Sequence, residues 1–307
     1  MHLFVDRVRA FKRFVQEAGD EVTFLLDLLN RMKNHKAKSG DILQTRAQQA
    51  AALLMPQRLA LKPITHLPDD LAPQNMTECY AIQSALNVML TAAGLGDVVG
   101  HKIGCTTPVM QAFVNIDHPA TGRVFSTTVM HKHGRVPRHG FVKIGIECEI
   151  AVRLSHDLLP SSTPYSRESV ASAVGAVMVG MELVDERYED YRALGVRTLA
   201  ADDFYNAGCV LGDPVTDWHH LDLAALTGRT WINDIEVASG VSSLVMGHPL
   251  NALAWLANAH GEHGLPGIKA GEFVLLGSVV QTQWLNAGDR VRIEVSGLGE
   301  ARLDMDD

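Results

Sequence analysis

The sequence predicts an α+β fold: a mixed, strongly curved β-sheet or partly open barrel, with helices packed around it and a helical region at the N-terminus. Three observations carry this. From Val98 onward the chain runs through short β-rich segments broken by turn residues: "VVGHKIG", "GRVFSTTVM", "IECEIAVRL", "GAVMVGMELV", "CVLGDPV", "TWINDIEVAS", "EFVLLGSVV" and "DRVRIEVSG". Helical periodicity is concentrated before Val98 and returns in "SRESVASAVG" and "HPLNALAWLANAHG", too few helices for a regular doubly wound alternation. A chain of 307 residues with 47% apolar and 20% charged side chains can bury a substantial core.

Taken in order, residues 1–40 read as a helical extension. Phe4, Val8, Phe11 and Val15, then Val22, Leu25, Leu26, Leu29 and Met32, recur at helical spacing, with a break at Gly19-Asp20. Charges of mixed sign on these helices favour packing against protein over attachment to a membrane. After the polar joint "HKAKSGD", residues 41–97 read as a second helical part. It comprises "TRAQQAAALLMPQRLA" and "NMTECYAIQSALNVMLTAAG", the latter with Asn75 or Thr77 as cap and Gly94 as terminator. Residues 98–307 form the β-rich part.

A formal charge of -8 disfavours nucleic acid, whose phosphates need a basic face. No stretch is apolar for long enough to span a bilayer, and the N-terminus alternates apolar and charged residues too often for a secretory signal. The four cysteines stand far apart without a CxxC pair, so reduced thiols in the cytoplasm are expected. A small molecule is the expected partner. Most of the 14 histidines cluster in turns without the spacing of a two-His-one-carboxylate site, and no GxGxxG, P-loop or GxSxG motif is found.

Chemistry concentrates on acidic residues in apolar strands. In "VKIGIECEIAVRL" the two-residue period puts Ile146, Cys148, Ile150, Val152 and Leu154 on one face and Glu147, Glu149 and Ala151 on the other. Two carboxylates looking into one space repel, and either water or a cation between them satisfies the electrostatics. Glu182 adds a third in the apolar run from Ala176 to Val184, where an unpaired charge is costly. Three such oxygens suit a hard ion, Mg2+ or Mn2+, with positions left for water and substrate. Lys102, between short apolar residues and two glycines, supplies a cation. Two readings of it stand: a structural salt bridge, or a group that moves a proton or fixes an anion.

In order and spacing, "CYAIQ", "VVGHKIGCTTPVMQAF", "IECEIAVRL", "MELVDERYEDY", "ADDFYNAGCVLG" and "IKAGEFVLLGSVV" resemble the 2-keto-4-pentenoate hydratase and 2-oxo-3-hexenedioate decarboxylase group of the fumarylacetoacetate hydrolase superfamily. The resemblance runs from about Thr45 to about Val295. It implies that 41–97 is the helical N-terminal part of a catalytic unit and 98–307 its catalytic domain, a β-roll like the C-terminal domain of fumarylacetoacetase, in a homo-oligomer with Mg2+ or Mn2+ held by Glu147, Glu149 and Glu182. Lys102 takes the place of the catalytic lysine. Gly277 and Ser278 take the place of pocket residues that contact the substrate carboxylate, though a plain strand serine fits Ser278 equally well.

Two departures from the family pattern stand out. "DHPATG" replaces a "DEPDYG"-like stretch, so Ala120 stands where relatives carry an acid that works with the lysine in proton transfer, which puts hydration in question. "ADDFYNAG" puts Asp203 and Tyr205 where smaller or neutral residues are usual, near the expected pocket. The implied activity is a metal-dependent lyase acting on a 2-hydroxy-2,4-dienoate or 2-oxo acid in aromatic-compound catabolism through a metal-stabilised enolate, as a hydratase. Decarboxylation and carbon–carbon hydrolysis use the same enolate and are the alternatives. A non-catalytic binder of oxo acids is a further one.

Overall fold

A computed structural model describes residues 39–307; the helices expected over residues 3–33 lie outside the described residues. Two helices come first, α1 (Ser39–Leu59) and α2 (Met76–Leu90). The Asn75 side chain accepts from the Glu78 backbone N–H to cap α2, as the sequence suggests, and after a single wide turn Gly94 leaves helical geometry at φ 95°.

Next come β1 (Val98–Gly104), α3 (Pro108–Val114), β2 (Ala120–Phe125), β3 (Val129–His131), β4 (His133–Pro137), β5 (Ile144–Leu154), α4 (Arg167–Ala171) and β6 (Val174–Asp185). They are followed by α5 (Tyr191–Ala201), β7 (Asn206–Leu211), β8 (Thr227–Ile232), β9 (Ile235–Val241) and α6 (Pro249–Glu262). The chain ends with β10 (Phe273–Ser278), β11 (Gln283–Trp284), β12 (Arg290–Val295) and β13 (Gly299–Asp306).

The chain adopts the α+β class, but its strands divide between two sheets where the sequence reads as one. The larger runs β2-β1-β10-β5-β6-β7-β3, with β11 also paired to β5, and the smaller runs β4-β13-β12-β8-β9. Parallel pairs β1–β10, β3–β7 and β4–β13 make both sheets mixed. Neither strand path closes on itself. The physical difference lies in what each strand buries. β12 and β13 alternate, with Val291, Ile293 and Val295 inward and Arg292 and Glu294 outward, the pattern of a sheet wetted on one face. β5 and β6 are buried along both faces.

The even-numbered residues of β5, Ile144 to Leu154, meet Val177, Val179 and Met181 of β6, the inner faces of β12 and β13, and Leu250 and Leu253 of α6 in the main core. A second core joins α1 and α2 to β2 and α5 through Leu54, Leu86, Phe125 and Leu199. A third, small cluster gathers Val124, Ala151, Met178, Cys209, Leu211 and Leu275, drawn from five strands of the larger sheet. All four cysteines are free and buried. Among the described residues, no helix is long and apolar enough to cross a membrane.

Candidate active site

The face of β5 turned away from the main core carries Glu147 and Glu149. Antiparallel pairing sets Glu147 opposite Glu182 of β6 and Glu149 opposite Gly180 on one side and Ser278 of β10 on the other. Cross-strand partners share a face, so three carboxylates converge: one oxygen from each of Glu147, Glu149 and Glu182 lies within 4.8 Å of the others. Glu149 and Glu182 are fully buried and Glu147 is partly open. Lys102, on β1 beyond β10, is buried with them and places Nζ 3.2 Å from Oε1 of Glu182.

Each carboxylate has a holder. The Gly277 N–H donates to Oε2 of Glu149 at 2.9 Å, Asn206 Nδ2 donates to Oε1 of Glu182 at 2.9 Å, and the Thr282 hydroxyl donates to Glu147. The Gly277 contact depends on a register shift between Leu275 and Ser278, where Gly277 takes φ 111° and its N–H leaves the ladder. Only glycine fits, because a Cβ there would stand 2.3 Å from Oγ1 of Thr106. The second oxygens of the two buried glutamates, Oε1 of Glu149 and Oε2 of Glu182, have no hydrogen-bond partner. Buried orphan acceptors are costly, and with all three carboxylates ionised, one ammonium leaves two negative charges in excess. A divalent cation matches both deficits with hard oxygen donors, so the residues present fit such an ion.

The electrostatics agree. Burial raises the Glu149 carboxyl well above the ordinary carboxylate range, and Glu182 and Glu147 raise it further. Burial also raises Glu182, against the pull of Lys102. Burial works against the charge on Lys102, but Glu182, Glu147 and Glu149 outweigh it and push its pKa up, so the lysine is an ammonium at rest.

Sequence reasoning missed Asn206, Thr282 and Phe204. The Phe204 ring centroid lies 5.1 Å from Nζ of Lys102, and Gly104 makes room for it: a Cβ at 104 would meet the ring at 2.5 Å. Asp203, Phe204 and Tyr205 all take left-handed backbone at φ 56°, 47° and 67°, a strained run for side chains with a Cβ.

Asp203 turns out to serve a buried ion network. Its carboxylate takes Nη1 of Arg58 at 2.7 Å and accepts from the Arg123 N–H and Asn87 Nδ2. Tyr205 packs edge-on against Tyr188 and Phe204. The departure at 203–205 thus reaches the site through Phe204. Ala120 pairs with Gly104 across β1–β2, fully buried in the cluster that holds Phe204 and Cys105. Ser278 Oγ lies 2.7 Å from the Val280 carbonyl and 3.3 Å from that of Cys148, so its one hydrogen is committed to backbone.

The family model for Fumarylacetoacetate (FAA) hydrolase C-terminal matches residues 109–305. The 2-hydroxyhexa-2,4-dienoate hydratase of Comamonas testosteroni is 32% identical over 267 residues, covering 85% of this chain and 96% of that enzyme. The 2-keto-4-pentenoate hydratase of Paraburkholderia xenovorans is 29% identical, covering 84% and 94%. Among solved structures, 4-oxalocrotonate decarboxylase from Pseudomonas putida G7, complexed with magnesium and adipate, superposes with a TM-score of 0.77 at 23% identity, covering 88% of this chain and 100% of that one. That likeness is one of fold.

Proposed function

The chain belongs to the fumarylacetoacetate hydrolase family, and from that premise we propose that it is a divalent-metal-dependent lyase that hydrates a 2-hydroxy-2,4-dienoate or related 2-oxo acid in aromatic-compound catabolism. The observation that carries this reading is the convergence of Glu147, Glu149 and Glu182 beside the buried ammonium of Lys102. The three carboxylates would hold Mg2+ or Mn2+, whose Lewis acidity stabilises negative charge developing on the 2-oxo group.

The chain's own residues do the rest. Gly277 and Asn206 fix Glu149 and Glu182. Lys102, already protonated and held by Glu182, is the group placed to deliver a proton to substrate carbon and recover it. Phe204 lays an aromatic face over the Lys102 ammonium, and Ala120 is buried in the cluster that holds Phe204. Gly277 and Ser278 stay in this reading as pocket lining; carboxylate contact through Ser278 requires its hydroxyl to turn away from the Val280 carbonyl.

A second reading, decarboxylation, draws on Ala120. Adding water needs a group to handle the water's proton, and the position next to Gly104 that an acid would occupy is a buried alanine. Losing carbon dioxide needs an electron sink and one returned proton, which a metal and Lys102 supply. Incubation with Mg2+ and either 2-hydroxypenta-2,4-dienoate or 2-oxo-3-hexenedioate separates the two. Loss of dienol absorbance without carbon dioxide supports hydration, and gas release supports decarboxylation. Cleavage of an acylpyruvate supports a hydrolase, and absence of metal-dependent turnover on all three leaves a binder. Glu149→Gln should lose both Mg2+ affinity and turnover; retention of both would refute the ligand set.

The same reading includes a homo-oligomer in the cytoplasm, and four buried free thiols support the latter. It also includes the curved β-roll: a cluster drawing Val124, Ala151, Met178, Cys209 and Leu275 from five strands supports bending of the larger sheet about that face. The helical part over 41–97 and the domain over 98–307 act as one unit in this reading, supported by Arg58 reaching Asp203.

A further inference from the structure

Consecutive strand residues face opposite ways, so His101 lies on the other side of β1 from Lys102. A cavity of about 340 Å³ opens there, a volume in the range of small-molecule sites. Register builds it: His101 pairs with Arg123 across β1–β2. α2 contributes Ser84 and Val88 to the walls, α6 contributes His260, and Glu272 closes one end.

Arg123 is 7% exposed. Its Nη1 donates to Nδ1 of His101 and, at 3.1 Å, to Nε2 of His260. A guanidinium only donates, so both ring nitrogens must accept, which makes both imidazoles neutral. Their remaining N–H groups are spent as well, His101 Nε2 on Glu272 at 3.0 Å and His260 Nδ1 on the Pro266 carbonyl. Arg123 is therefore the sole cation among these three. Among the described residues, no carboxylate oxygen lies within 4.0 Å of its guanidinium, and its side-chain hydrogen bonds all leave from Nη1, so Nε and Nη2 stay free of protein partners on the side of the cavity. Those two nitrogens form one edge, the fork that accepts a carboxylate with two parallel hydrogen bonds. Burial works against the charge on Arg123, and Asp203 and Glu272 offset this only from beyond ion-pair distance, so an anion on the unused fork would complete the site.

We propose that this cavity binds a small carboxylate through the Nε–Nη2 edge of Arg123, with the ligand's hydrocarbon part against Val88, Val98 and Pro266. The site is separate from the carboxylate cluster around Lys102, and the inference does not rest on the proposed lyase activity.

Calorimetric titration of the full chain with hexanoate, with and without Mg2+, tests it. Hexanoate should bind equally in both conditions. Arg123→Gln should weaken binding about tenfold or more through loss of the paired, charge-assisted bonds. Val88 is 71% exposed at the mouth, so Val88→Glu should fold normally and weaken binding similarly by repulsion; it decides the matter if Arg123→Gln misfolds. The proposal falls if no heat appears up to about 10 mM hexanoate. It falls equally if binding requires Mg2+, which would place the ligand on an ion at the carboxylate cluster, or if Val88→Glu leaves the affinity unchanged. Inorganic phosphate binding more tightly than hexanoate would also overturn the assignment to carboxylates.

Discussion

Lys102 and Glu182 form a buried ion pair, Nζ to Oε1 at 3.2 Å, with both side chains almost wholly out of water. Glu182 is also the cross-strand partner of Glu147, so one carboxylate serves both the ammonium and the acidic cluster. Lys102→Met keeps the length of the side chain and removes the charge. Turnover should fall about 100-fold or more, the usual range for losing a proton-transfer group. Mg2+ affinity should hold or rise, because a competing cation has left. Steady-state kinetics and Mg2+ calorimetry on the same preparation check this, and turnover within a few-fold of wild type would remove Lys102 from the mechanism.

Gly277 joins backbone conformation to the site. At φ 111°, with a prospective Cβ 2.3 Å from Oγ1 of Thr106, Gly277→Ala should cost about 1–3 kcal/mol of stability. Backbone movement should also pull the N–H from Glu149 and weaken Mg2+ binding. Urea unfolding and Mg2+ titration report the two effects separately. Lost stability with unchanged metal affinity would show that the N–H does not position Glu149.

The acidic cluster was legible in sequence because period-two alternation is local: Glu147 and Glu149 had to share a face, and Glu182 stood out in an apolar run. The partners of those side chains were not legible. Asn206 reaches Glu182 because of a register shift between Leu183 and Val184 on the β6–β7 ladder, and Thr282 reaches Glu147 from a segment 135 residues away. Pairings between remote segments leave no local signature. The same holds for Asp203, whose partner Arg58 is 145 residues distant; a composition that looked like an altered pocket is a buried ion network. The division into two sheets was hidden likewise, since alternation in β12 and β13 reveals one wet face and says nothing of which strands pair.

The histidines beside Arg123 set an acid limit on stability. Burial lowers His101 well below its ordinary 6.5, with Arg123 adding to the effect, and burial with the same arginine pushes His260 down to about 2. In the unfolded chain both titrate near 6.5. Below that value the unfolded state binds more protons than the folded one, so this contribution to stability is complete above pH 6.5 and is lost as pH falls below it. Chemical denaturation between about pH 7 and 4 should show declining stability, and His260→Gln should flatten the slope whatever its effect on absolute stability. A slope identical to wild type would mean that His260 does not titrate on unfolding in this window.

Phe204 gives the strained run at 203–205 a chemical consequence. Asp203 is pinned by Arg58, the Arg123 N–H and Asn87, and Tyr205 by Tyr188, so the intervening ring is driven over Lys102 at 5.1 Å. An aromatic face stabilises an ammonium by about 0.5–2 kcal/mol, more when water is excluded. Phe204→Leu keeps an apolar side chain of similar bulk and should cost less than about 1.5 kcal/mol of stability, yet it removes the π face. The ammonium of Lys102 is then less favoured, and the basic limb of the kcat/KM profile should move to lower pH by about 0.4–1.5 units. A purely packing role for Phe204 would lower the melting temperature and leave that limb in place, so the pH profile and not stability decides whether the ring tunes the lysine.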